Sequence, residues 1–366
     1  MLKNVQTLRF FAALWVVLHH MTPPVTPFNL SLVPEAISSL GFAGVDLFFV
    51  ISGLIMAETT RMLQPGWRPA TRFLVQRFGR IYIGWWPFFV VYLVAAVLLG
   101  VLRPQVSLLG SFFLWPQDLM LYLLPITWTL SFELYFYVIV AAIVFWQRRH
   151  ATLILSVLGL LVICLNIWFY KNGMYLPENE AKAKQNLLIP FYLSPLVVEF
   201  IAGFLLAEWI HRRPRQLLLP WFLGALALLY TAYDLQINGN LNHSGMAGFF
   251  HACERAILLG GFSLCLVACG MELERRKITP GKLLQSLGDA SYSIYLSHIM
   301  VLAAMGILYF KLQASLHMPS NAWALATLLV TLVFSWLSYR WMELPLHNIF
   351  KRQIAIRLAF LSNRTA

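Results

Sequence analysis

Charge is what this sequence has least of. Only 11% of its 366 residues are Asp, Glu, Lys or Arg, where a soluble domain carries about 25%. Acidic residues are the scarcest, 15 against 27 lysines and arginines. With 60% of the chain hydrophobic, that balance excludes a soluble globular domain. Cysteine is rare as well: there are four, and none forms a C-x-x-C pair, which removes the dithiol and zinc-ribbon readings. Cys164, Cys253, Cys265 and Cys269 all fall in apolar runs. They read as buried free thiols, although Cys265 and Cys269 share a helix face. His19 and His20 are adjacent and diverge, a poor metal pair, so no metal is expected. No small-x-small cleavage site follows His20, so the first apolar run reads as a permanent span rather than a leader. No fixed-period repeat and no soluble domain is legible.

What is present is a series of apolar runs of about 20 residues, the length of a membrane-spanning helix. Ten spans are expected, near residues 6–22, 41–60, 80–101, 126–147, 152–170, 190–210, 218–233, 247–271, 288–310 and 321–342. Basic residues then alternate by side: 21 fall in loops or at span ends on one side, five on the other, and only Arg255 is assigned to neither. By the positive-inside rule, both termini are expected in the cytoplasm. The net charge of +12 then sets orientation and meets anionic membrane lipids, and nucleic acid is not an expected partner. The fold class expected is an all-α integral membrane protein, with a multi-span domain over 1–344 and a tail over 345–366. That tail mixes Ile349, Phe350, Ile356 and Phe360 with Lys351, Arg352 and Arg357, which suits an amphipathic interfacial helix on the cytoplasmic leaflet.

The first run, Leu8 to His20, organises the candidate chemistry. At ~100° per residue, Arg9 and His20 lie on one helical stripe, roughly 16 Å apart along the axis, while His19 points about 80° away. A strong base and a proton acceptor on one face of a membrane helix must look into a polar interior. In GVDLFFVISGLIM, Asp46 sits a turn and a half in from the outer surface. It admits two readings, a direct chemical role or a buried structural carboxylate paired with an arginine. The next inner loop is the most basic, and it ends FLVQRFGRIY. Arg77 and Arg80 are three apart and share a face, a spacing that suits phosphate, although topology marking is the simpler account of an isolated R-x-x-R.

Glu133, in TWTLSFELYFY, lies two turns inside its helix on a stripe with Thr129 and Tyr137, and an ionisable residue at that depth is a functional candidate. Glu199 in VVEFIAGF has no accompanying polar stripe and reads as structural. His251, Glu254 and Arg255 form an i, i+3, i+4 cluster near the outer surface, either self-neutralising or an acceptor site. Ser291, Tyr295 and His298 make a hydrogen-bonding rail on one helix, so Tyr295, His298, His251 and Arg255 are the expected substrate-binding groups. The outer loop from Lys171 to Gln185 is polar and carries no motif. Two N-x-S sequons, at Asn29 and Asn242, fall on the outer side and matter only in a eukaryote.

Six stretches taken together, LRFFAALWVVLHH, GVDLFFVISGLIM, RFGRIY, TWTLSFELYFY, VVEFIAGF and SYSIYLSH, resemble the bacterial membrane acyltransferase-3 family of cell-surface glycan O-acyltransferases. They run in the family's order over nearly the whole chain, and within it the chain looks most like the exopolysaccharide O-acetyltransferases. The resemblance implies an inner-membrane enzyme that moves an acyl group, acetyl first, from cytoplasmic acyl-CoA to a hydroxyl of an extracytoplasmic polysaccharide or lipid-linked sugar. By position, the family's arginine and histidine of helix one fall on Arg9 and His20. Its R-x-x-R, linked to acyl-CoA, falls on Arg77 and Arg80, and its glutamate falls on Glu133. Acyl-CoA is a co-substrate, and no permanently bound cofactor is implied. Two departures stand out. Ile83 follows R-I-Y where proline is common, and the closing E-R-P reads Glu343-Leu344-Pro345. No hydrolase-like domain is fused, so the membrane domain itself, or a partner, completes the transfer.

His20 is the expected general base, because a sugar hydroxyl must lose its proton as it attacks and a histidine titrates near neutral pH. Glu133 is the first choice to orient it and Asp46 the second, while Arg9 is expected to hold the donor or the helix end. The alternative class is a transporter or flippase of a glycan or lipid-linked sugar, since polar residues in a bundle also line transport paths. The repeats and broken helices in matching halves that mark many transporters are absent from the sequence. A non-enzymatic scaffold is disfavoured by the buried histidine and carboxylates.

Overall fold

The structure is a computed structural model. It describes residues 2–22, 25–28, 31–173, 188–214, 217–239, 241 and 253–362, with only the backbone at 314, 316 and 355–362. All regular structure among these residues is helical. Nine of the described helices are long and apolar enough to cross a membrane. One fewer is found than the ten expected, and the first helix accounts for the difference. α1 (Lys3–His20) is long enough, but Lys3, Asn4, Gln6, Thr7 and Arg9 at one end and two histidines at the other dilute its apolar middle. It can carry them because protein surrounds it. α1 packs against α3 (Ala43–Thr60), α11 (Cys253–Arg275), α12 (Lys282–Asp289) and α13 (Ser291–Leu316), and the short α2 (Glu35–Ser39) touches its C-terminal end.

α3 is the second hub. Its main partner is α9 (Leu196–Arg212), and the two cross at paired glycines. A Cβ on Gly53 would lie 1.9 Å from the Phe200 carbonyl oxygen, and one on Gly203 would lie 1.9 Å from that of Val50. The backbones therefore touch, as small-residue crossings in membranes allow. At the C-terminal ends of α3 and α9, Arg148, on the turn before α7 (Ala151–Lys171), ties this pair together. Its Nε donates to Thr60 Oγ1 at 3.0 Å, and it pairs with Glu208 and stacks 4.8 Å from the Phe204 ring.

α4 (Trp67–Leu98) changes the picture drawn from sequence. The stretch from Arg61 to Arg80, read as a loop, is helical from Trp67 onward. Its apolar residues recur at helical spacing, and Phe73 is buried while Arg72 is exposed. At ~1.5 Å per residue a helix of 32 residues is about 48 Å long, more than a hydrocarbon core of about 30 Å. Its arginine-bearing end therefore projects past the apolar layer. α4 packs on α6 (Trp128–Trp146), on α13 and on α15 (Leu344–Ser362). α15 is continuous with the bundle: α14 (Ser320–Ser338) runs into it through one π turn, Tyr339–Glu343. Pairs of α10 (Leu218–Asn238) with α11, and of α13 with α14, complete the bundle around the hubs.

Candidate active site

A narrow cavity of about 70 Å³ lies where α1, α3, α4, α6 and α13 meet. α1 contributes Arg9, α3 contributes Phe48 and Ser52, and α4 contributes Arg77 and Arg80. α6 presents Thr129, Glu133 and Tyr137 at i, i+4 and i+8, and α13 presents Tyr292 and Tyr295. The Glu133 carboxylate is pinned, since Ser52 Oγ donates to Oε1 at 2.7 Å and the Tyr137 hydroxyl donates to the same oxygen at 2.5 Å. Arg77 Nη2 donates to Thr59 Oγ1 at 2.7 Å, and its guanidinium faces the Phe73 and Tyr137 rings at 5.7 and 5.9 Å. Arg9, 8% exposed, has a hydrogen bond of 3.3 Å to Gln6 Oε1. Among the lining residues three guanidiniums thus face one carboxylate, Glu343 acts on Arg9 and Arg80 from beyond the lining, and among the described residues none of the three forms an ion pair. Charges so placed in an apolar bundle are costly unless an anion joins them. Arg77 and Arg80 also line a second, wider cavity of about 650 Å³ between the basic end of α4 and α15.

His20 stands outside this cavity, joined to it through α13. The Tyr295 hydroxyl lines the cavity, donates to the Ile126 carbonyl at 2.8 Å and lies 3.0 Å from Thr129 Oγ1. One turn on, His298 is fully buried, and its Nδ1 meets the Tyr295 carbonyl oxygen at 2.7 Å. Its ring centroid is 5.1 Å from that of His20. His20 Nδ1 in turn meets the Val16 carbonyl oxygen at 2.9 Å, four residues back on its own helix. A carbonyl only accepts, so in the neutral ring Nδ1 carries the proton and Nε2 keeps a free lone pair. Both inner imidazoles are set this way, and His298 Nε2 is buried without a hydrogen-bond partner. His19 is anchored differently, with Nδ1 2.8 Å from the Ser38 carbonyl oxygen on α2.

These contacts correct the expected partners of His20. Glu133 is held by Ser52 and Tyr137, and Asp46 is taken by Arg255, so the backbone carbonyl of Val16 orients the imidazole. Asp46 is 0% and Arg255 6% exposed. Arg255 Nε and Nη2 reach Oδ1 and Oδ2 at 2.9 and 2.8 Å, and the guanidinium lies 4.9 Å from the Phe42 ring. The outer cluster read from Glu254 and Arg255 is therefore replaced by a buried pair between α3 and α11, beside which Glu199 packs its carboxyl against Gly260. Arg255 is committed to that pairing. His251 lies outside the described residues.

Ser52 and Tyr292 belong to the cavity and were not singled out in the sequence. A serine alone in an apolar run, as in FFVISGLIM, signals a hydrogen-bond partner on a neighbouring helix. Tyr292 was hidden by register: the stripe read as Ser291, Tyr295 and His298 faces the cavity through Tyr292 and Tyr295 instead. The Tyr292 hydroxyl donates to the Ile81 carbonyl at 2.9 Å. Glu343, in the π turn, accepts from Ser293 Oγ at 2.6 Å and ties the start of α15 to α13.

Apolar helices of spanning length, packed around a pocket lined by three arginines with a histidine pair beyond it, mark an integral membrane protein that keeps ionisable groups inside its bundle. The chain belongs to the acyltransferase-3 family, whose acyltransferase domain matches residues 2–340. It is 28% identical over 339 residues to the exopolysaccharide production protein ExoZ of Rhizobium meliloti (strain 1021), an alignment covering 84% of this chain and 90% of that protein. No solved structure matches it.

Proposed function

We infer that this membrane acyltransferase moves an acyl group, acetyl first, from cytoplasmic acyl-CoA to a hydroxyl of a polysaccharide or lipid-linked sugar beyond a bacterial inner membrane. The observation that carries the reading is the excess of guanidinium over carboxylate lining the cavity, from buried Arg9 and half-buried Arg77 and Arg80. Family membership supports acyl transfer, and the name of the Rhizobium relative supports a polysaccharide acceptor. In this reading Arg77 and Arg80 grip the donor's phosphates, and the pantetheine arm runs along the narrow cavity. Arg9 and His20 are roughly 16 Å apart along α1, within reach of that arm. The acceptor oxygen attacks the thioester carbonyl while His20 Nε2 removes its proton. The tetrahedral intermediate expels the CoA thiolate, which takes up the proton the imidazole holds. His298 and Tyr295 are the groups placed to position the acceptor and the ring.

The test is direct. Purified protein in nanodiscs, given acyl-labelled acyl-CoA and the acceptor glycan, transfers the label to the sugar. Movement of unmodified glycan with no acyl-sugar formed would make the chain a carrier. Arg77→Lys raises the donor's KM by about one to two decades, since a charge-assisted contact contributes roughly 1.5–3 kcal/mol. An ammonium cannot both reach Thr59 and lie flat between two rings. Unchanged CoA affinity in the Arg77→Ala, Arg80→Ala double variant would return these residues to topology marking. For orientation, cysteines placed between Arg61 and Arg72 in a variant without the native thiols are expected to react only from the cytoplasmic face. Labelling from outside would invert the whole scheme.

A further inference from the structure

We propose that the cavity between α4 and α15 seats the adenosine 3′,5′-bisphosphate end of the donor, with Arg72, His347 and Lys351 holding its 3′-phosphate. This rests on the reading of acyl-CoA as donor and assigns a part of it that Arg77 and Arg80 do not cover. At about 650 Å³ the cavity falls in the roughly 300–1,000 Å³ range of small-molecule pockets. The inner cavity is much smaller, at about 70 Å³. The two share Arg77 and Arg80, so a ligand threaded through both carries its negative charge at that throat. A pyrophosphate between a thin arm and a nucleotide fits the order. The wide cavity then adds Arg72, His347 and Lys351, and no carboxylate lines it. Four cationic side chains facing one space, with the His347 imidazole as a further donor, are matched by a polyanion with another phosphate beyond the throat. Phe73 and Phe350 also line it, which supplies aromatic faces for a purine.

The seating of α15 is specific. Gly79 lies between the two throat arginines, and a Cβ there would stand 2.0 Å from Phe350 Cε1. Only glycine lets the Phe350 ring rest on the α4 backbone, and that contact places His347 and Lys351, three residues before it and one after, at the cavity. A helix that merely floated on the leaflet would need no such notch. In this assignment α15 closes the donor site, and lipid contact is secondary.

CoA and 3′-dephospho-CoA binding, measured on the full-length protein in phosphatidylcholine nanodiscs, tests this. The expected result is a preference for CoA of roughly tenfold or more, the worth of one charge-assisted phosphate contact. Lys351→Ala and His347→Ala each bring the ratio toward one. Lys351 is exposed, so its removal leaves packing intact. Gly79→Ala does the same without removing a charge, by displacing the Phe350 ring that seats α15. Equal binding of the two nucleotides by the unaltered protein overturns the inference and leaves the donor reading standing, whereas binding of neither removes both. A CoA preference that persists in all three variants places the 3′-phosphate elsewhere. Absence of that preference together with saturable binding of phosphatidylglycerol would make the cavity a lipid site.

Discussion

His20→Ala abolishes acyl transfer in a protein that still folds and still binds CoA. The loss expected is about 10²–10⁴-fold in kcat, the usual contribution of a positioned general base. The basis is the geometry of the ring: Nδ1 is tied to the Val16 carbonyl and Nε2 is left with its lone pair. Donor binding is spared because the cavity lining does not include His20. His19→Ala costs much less, since that ring is committed to the Ser38 carbonyl on α2. Steady-state rates with a glycan acceptor, read alongside CoA affinity, separate the two. Near-normal turnover by a well-folded His20→Ala protein would sink the mechanism, and a loss of CoA affinity equal to the loss of rate would move His20 into donor binding.

The second large effect falls on stability. Arg255→Met leaves the Asp46 carboxylate fully buried with no opposite charge, and breaking such a pair costs about 3–5 kcal/mol. The expected outcome is a strongly lowered unfolding midpoint or no recoverable protein. Asp46→Asn combined with Arg255→Met recovers much of that loss, because neither charge is then stranded. Melting of the detergent-solubilised single and double variants reads this directly. Single variants that melt normally yet transfer no acyl group would return Asp46 to the chemistry.

Much of the fold was legible because lipid imposes long apolar runs, and the spans from α3 onward follow from that alone. α1 departs from the rule for a physical reason: a helix walled by protein has no need to be apolar, so its polar ends lower its hydropathy without exposing it. The candidate site was legible where it follows helical spacing within one element, as with Arg77 and Arg80 or Thr129, Glu133 and Tyr137. Pairings between elements were not. Asp46 with Arg255, His20 with His298 and Gly79 with Phe350 each join positions far apart in the chain, and nothing in local pattern couples them. The basic stretch before Arg80 misled because charge density suggests a loop, while the apolar residues interleaved with it continue a helix beyond the bilayer.

The pairing of α3 with α11 also sets a schedule for making the protein. Asp46 is synthesised 209 residues ahead of Arg255. At ~5–20 residues per second, the interval is about 10–40 s. Throughout it, α3 must enter the bilayer carrying a carboxylate in its first turn, where insertion costs less than the about 2.5–3.5 kcal/mol of a helix centre. Val45, Leu47, Phe48, Phe49, Val50 and Ile51 around it make that entry possible. The acid waits inside the membrane until the eleventh helix arrives to claim it. A chain cut short before Cys253 keeps an unclaimed acid in its interior, so one pair of charges reports whether synthesis ran through to the last third of the protein.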